Sequence, residues 1–133
     1  MALSADRNTP TKLGTLLAFP VAASTTIYAG ALVAANASGF VVPGAAATTL
    51  TYLGRAEEYV DNSAGANGDV TVLVRRGQPF KFANSGTDPV VQASLGKPCY
   101  IEDDETVAKT DDESSLSVAG IVVGLDADGV WVE

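Results

Sequence analysis

The stretch DVTVLVRRGQPFKF, Asp69 to Phe82, sets the period on which this chain has to fold. Val70, Val72 and Val74 alternate with Thr71, Leu73 and Arg75, so an extended backbone sends the valines to one face and the others to the opposite face. The NGD that runs into it is a turn signal. Gly77 and Pro79 then make a bend, after which Phe80 and Phe82 share one face. Helix offers no competing account, because no window of helical length carries apolar residues at three-and-four spacing with a cap and a stop. Further strands are expected in TTIYAGALVAA, GFVV, LTYLGRAEEYV, PVVQA, KPCYIE, SVAGIVVGL and GVWVE, about nine in all. Turn signals fall between them at the roughly 8–12-residue spacing of a sandwich or small barrel. The expected fold is all-β, a small β-sandwich or β-barrel-like domain over residues 20–133 with an extended N-terminal arm over residues 1–19.

An internal echo supports this. GALVAANASGFVV (Gly30 to Val42) aligns without a gap on GIVVGLDADGVWV (Gly120 to Val132), with five identities in thirteen positions. Each reads as a β-hairpin of the core sheet. Asn36 or Asp126 opens the turn through a side-chain hydrogen bond, and Gly39 or Gly129 takes the left-handed conformation that closes a four-residue loop.

At 133 residues the chain suffices for one core without staples. The single Cys99 excludes an internal disulfide and reads as a small core hydrophobe. With no histidine, most zinc, copper and iron designs fall away, as do imidazole-assisted serine and cysteine nucleophiles. No metal, cofactor or catalytic residue is therefore assigned. Residues 1–101 carry six acids and seven bases, whereas residues 102–133 carry ten acids and only Lys109. Such an acidic pole repels phosphate, and the bases are too scattered to make a groove, so nucleic acid is not an expected partner. Nor is a membrane, since no apolar run approaches the roughly twenty residues of a span. The short run in LGTLLAFPVAAS is interrupted by Pro20 and preceded by polar SADRNTPT, and reads as structure rather than as a secretion signal.

The acidity is concentrated in IEDDETVAKTDDES, seven carboxylates in fourteen positions. The acids come consecutively and no glycine falls among them, which fits neither a calcium loop nor a spaced catalytic pair. A solvated hairpin or loop is expected there. NSAGANGD lacks the context of a phosphate-cradling loop and reads as a hairpin loop. Glu57 has the same strand parity as Arg55 and is expected to pair with it. Lys109 in VAKT lacks the flanking residues of a lipoyl or biotinyl carrier hairpin.

The arm joins polar, unpatterned SADRNTPT to apolar LLAF. It is either a frayed terminus or a segment that orders on a neighbouring subunit, and LLAF requires some apolar partner, its own core included. Leu16, Leu17 and Phe19 are the candidate contacts, together with the basic doublet Arg75 and Arg76, read as solvent-facing or subunit-contacting.

The succession FPVAASTTIYAGALVAANASGFVVPG, YLGRAEEYVDNSAGANGDVTVLVRRGQPFKFANS, GKPCYIEDDETVAKT and AGIVVGLDADGVWVE resembles a family of small structural proteins of Mu-like and related tailed bacteriophages and prophages, the capsid decoration or cement proteins. The likeness runs from about Phe19 onward; YAGALV, RRGQPFKF and DADGVWVE are its most specific parts. It implies a non-enzymatic virion protein, made in the host cytoplasm and often trimeric. Such a protein sits on the capsid exterior, where it contacts the major capsid protein and neighbouring decoration subunits. A head-vertex or tail component is the alternative within the virion, and a small carboxylate-based enzyme the alternative outside it.

Overall fold

The computed structural model describes residues 1–133. It is all-β, with twelve strands: β1 (Leu16–Pro20), β2 (Thr25–Ile27), β3 (Leu32–Ala35), β4 (Val41–Pro43), β5 (Thr51–Ala56), β6 (Val60–Asn62), β7 (Thr71–Arg75), β8 (Phe80–Asn84), β9 (Pro98–Ile101), β10 (Thr106–Ala108), β11 (Val118–Asp126) and β12 (Gly129–Val132). Five form an open sheet in the order β1-β7-β5-β3-β4, and five close into a barrel in the order β10-β8-β12-β11-β9. The short pair β2-β6 makes a third layer. Sandwich and barrel thus coexist in one chain.

The alternation read from the sequence places the two cores. Val72 and Val74 are fully buried with Val21, Ile27 and Val41 in a cluster between the open sheet and the β2-β6 pair. Phe80 and Phe82 fall inside the barrel with Ile101, Val107 and Val130. Between β7 and β8, Gly77 sits at φ +77° and turns the chain from the sheet into the barrel. Cys99 is buried in the barrel core. Strand β3 belongs to both cores: Leu32 and Ala34 point into the barrel cluster, and Val33 points into the other.

The echo hairpins sit one in each sheet. In β3-β4 the Asn36 side chain accepts hydrogen bonds from the N–H groups of Ser38 and Phe40, and Gly39 is left-handed at φ +85°. The β11-β12 hairpin closes differently from expectation. Asp126 pairs directly with Gly129 across a two-residue turn, and the Asp126 carboxylate accepts instead from Trp131 Nε1. Gly129 is not left-handed; it is needed because a Cβ there would lie 2.7 Å from Lys81 Cγ and 2.8 Å from the Phe82 carbonyl oxygen.

Three further expectations are corrected. PVVQA is not a strand: after buried Val90, Gln92–Ser94 form a single 3-10 turn. NSAGANGD is not a hairpin loop, since β6 pairs with β2 while β7 pairs with β1 and β5. That loop carries the chain from one layer to the other. It is tied down by buried Asn62, whose side-chain amide donates to the carbonyls of Ala22 and Ala66. TTIYAGALVAA and LTYLGRAEEYV each split into two strands that occupy different layers.

Candidate assembly surfaces

The sheet begins earlier than the expected boundary between arm and body. Leu16–Pro20 is strand β1, antiparallel to β7 in the register Leu17↔Val74 and Phe19↔Val72. The apolar half of the arm therefore finds its partner in its own chain: Leu17 and Phe19 are half-buried on the valine face, and Phe19 packs against the Val72 cluster. Leu16 and Ala18 face the other way and stay exposed, beside the outward Leu73. Only residues 1–15 remain an arm. All are exposed, and the first tie to the body is the Thr15 carbonyl, which accepts from the Arg76 N–H at 3.0 Å.

Strand β1 is also an open edge. The Arg76–Thr15 bond and the Val21–Val70 bond assign Thr15, Leu17, Phe19 and Val21 to the β7 side of the ladder. The N–H and C=O groups of Leu16 and Ala18 consequently point away from the sheet, and Pro20 ends the edge by lacking a donor. Two donors and their flanking carbonyls, next to exposed Leu16 and Leu73, can accept one short added strand.

The basic doublet is divided in its roles. Arg75 Nε lies 3.1 Å from Glu57, whose carboxylate also takes the Arg55 guanidinium, so the expected Arg55–Glu57 pair exists within a three-residue cluster. The hydrogen bond from Arg55 is the largest cause holding the Glu57 carboxyl below its ordinary range, followed in kind by Arg75. Arg76 instead lies 6.0 Å from the centre of the Phe19 ring, over its face. Leu17, Phe19 and Arg75 are thus spent largely within the chain, whereas Leu16 is open to a partner.

The acidic run is two turns around a buried strand. Glu102 to Glu105 form the β9-β10 turn, Val107 and Ala108 of β10 are buried, and Asp112, Glu113 and Ser114 make a second turn with three successive positive φ values. The backbone of the first turn is structural: the Asp104 carbonyl accepts from Leu32 at 2.7 Å, joining barrel to sheet, and the Glu105 carbonyl accepts from Ala83 of β8 at 2.7 Å within the barrel. The side chains of Asp103, Glu105, Asp112 and Glu113 remain in water. No three acids or thiols converge as metal ligands would. Lys109 lies 4.0 Å from Asp88, whose carboxyl is held low chiefly by its hydrogen bond from Thr110.

Two surface features lay outside the sequence reading. Tyr28 and Tyr59 stack at the end of the β2-β6 pair with ring centres 5.6 Å apart. Ile121, Val123 and Trp131 leave apolar side chains on the outer wall of the barrel. The signal for the tyrosine pair was present in the register, since Ile27↔Val60 puts Tyr28 and Tyr59 in adjacent positions, but that register required knowing that β2 pairs with β6.

What the geometry defines is a rigid two-core β-body with a free basic arm leading into an open sheet edge. No family model, characterised protein or solved structure matches the chain.

Proposed function

We propose that the chain is a capsid decoration protein of a tailed bacteriophage or prophage. It binds the outer surface of the shell, as a homotrimer, and ties neighbouring capsomers together without chemistry. The observation that carries this reading is the junction at Leu16: fifteen exposed residues run directly into an edge strand that has free backbone donors and an outward leucine. A segment of this kind gains order only against a partner surface, and an open edge supplies main-chain hydrogen bonds to whatever arrives. The sequence likeness described above supplies the partner: the major capsid protein and sister subunits. Binding to the assembled lattice and not to separated subunits stabilises the lattice by mass action. The acidic turns then face solvent and keep particles apart.

The test is to add purified protein to empty mature shells of the phage that encodes it and to image them by electron microscopy. Density at regular sites on the outer shell is expected, lost or strongly weakened when residues 2–14 are deleted. Density only at a vertex or on the tail, or shells that stay bare, would overturn the reading.

A further inference from the structure

The charges of this chain are unevenly matched. Arg55 and Arg75 are paired with Glu57, Lys81 with Asp128, and Lys109 with Asp88. The arm's Arg7 and Lys12 are exposed and have no carboxylate partner, and no hydrogen bond joins residues 1–14 to the body. Residues 1–15 carry two bases against one acid, and the rest of the chain carries fifteen acids against six bases. A cationic segment is therefore attached to a strongly anionic body that does not hold it.

One place on the body is shaped for such a segment. Asp104 and Glu105 line an open cleft of about 280 Å³ with Tyr28 and the backbone of Ala29 to Ala31. Their carboxylates make neither an ion pair nor a hydrogen bond, because the Asp104 backbone, not its side chain, does the structural work. Beside them Tyr28 and Tyr59 are 63% and 57% exposed, and their stacked rings are tilted 45° to each other. The face of a tyrosine ring attracts a cation, and two free carboxylates at its rim add to that attraction. Tyrosine is also the side chain that offers large, rigid contact area at little entropic loss, which makes an exposed pair a characteristic anchor.

We propose that Tyr28, Tyr59, Asp104 and Glu105 receive the N-terminal arm of a second copy of the chain, with Arg7 and Lys12 seated against the rings and carboxylates. The nine residue steps from Arg7 to Leu16 can span about 30 Å when extended, enough to cross to a neighbour. A neighbour's arm is the occupant proposed: each arm is fully exposed and over residues 1–14 makes no hydrogen bond to its own body, so it is free to reach across. This inference rests on the assembly role given to the arm above and adds the surface that receives it.

Paired cysteines test it in the full-length protein. Cys99 is buried, so it stays silent. One preparation carries Thr11→Cys in the arm, and a second carries Ala29→Cys at the cleft; neither position is a proposed contact. On mild oxidation of the mixture, a disulfide-linked pair of the two chains is expected. Tyr28→Ser with Tyr59→Ser, or Arg7→Glu with Lys12→Glu, should reduce its yield at least about tenfold, and molar salt should reduce it as well. Both tyrosines are exposed, so circular dichroism should show the double variant folded. No cross-link, a cross-link indifferent to these substitutions, or a purely intramolecular one in a chain carrying both cysteines would overturn the proposal. Because free subunits are used, failure here with shells still decorated removes the receptor alone; cross-linking without shell binding removes the capsid reading alone.

Discussion

Phe19→Ala and deletion of residues 2–14 separate the strand from the arm. Phe19 lies half-buried on the Val72 cluster, opposite Val72 in the ladder and covered by Arg76. Truncating a fully buried phenylalanine costs about 3–5 kcal/mol, so half-burial gives roughly 1.5–2.5 kcal/mol. With a urea slope of roughly 1.5–2 kcal/mol/M, the unfolding midpoint should fall by about 1 M. Deleting residues 2–14 removes exposed chain with no hydrogen bond to the body and should move the midpoint by less than about 0.3 M. Fluorescence of the single Trp131, anchored through its ring N–H to Asp126, reports the transition from the barrel side. Equal losses for the two changes would refute the division at Thr15, because the arm would then be part of the folded body. A Phe19→Ala protein as stable as the parent would show that β1 is not seated on β7 in solution.

Acidification should destabilise the sheet through Glu57. Its carboxyl is held below its ordinary value of 4.5 by Arg55 first and also by Arg75, so the stabilisation is complete above about pH 4.5 and disappears as pH falls through the lower folded value. Glu57→Gln should flatten that part of a plot of urea midpoint against pH. Gly129→Ala should cost about 1–3 kcal/mol by thermal unfolding, because the added methyl meets Lys81 and the Phe82 carbonyl rather than because of any left-handed backbone. Tyr52→Phe should leave stability unchanged or raise it by up to ~1 kcal/mol, since the Tyr52 hydroxyl is buried without a partner and burial pushes its phenol pKa upward.

Local alternation was legible because it depends only on the two-residue period of an extended chain. Val70 to Val74, Phe80 and Phe82 therefore landed on their expected faces, and Arg55 met Glu57. Pairing between distant strands was not legible, and most differences trace to it. LLAF looked like an anchor for another subunit because nothing in the sequence says that β7 lacks a neighbour on that side. NSAGANGD has hairpin chemistry but joins strands in different layers, which local turn residues cannot reveal. PVVQA has the composition of a strand, yet Asn84 takes both backbone groups of Val90 and the chain then turns. The acidic run concealed a strand, because two short buried residues, Val107 and Ala108, carry little weight among seven carboxylates. The same limit applies to the proposed receptor: its tyrosines and its carboxylates come from three separate stretches of chain that only the fold brings together.

Strand β3 carries a consequence for how the molecule comes apart. Its four residues are a wall with a filled room on each side, Leu32 and Ala34 lining one and Val33 the other. Neither room can be emptied while the wall stands, and neither can stay furnished once the wall moves. Barrel and sheet, though built from different strands, should therefore melt in one transition. The amides of β3 should be the last in the protein to exchange with solvent, and a subunit on a stressed shell would either hold its entire shape or lose it at once.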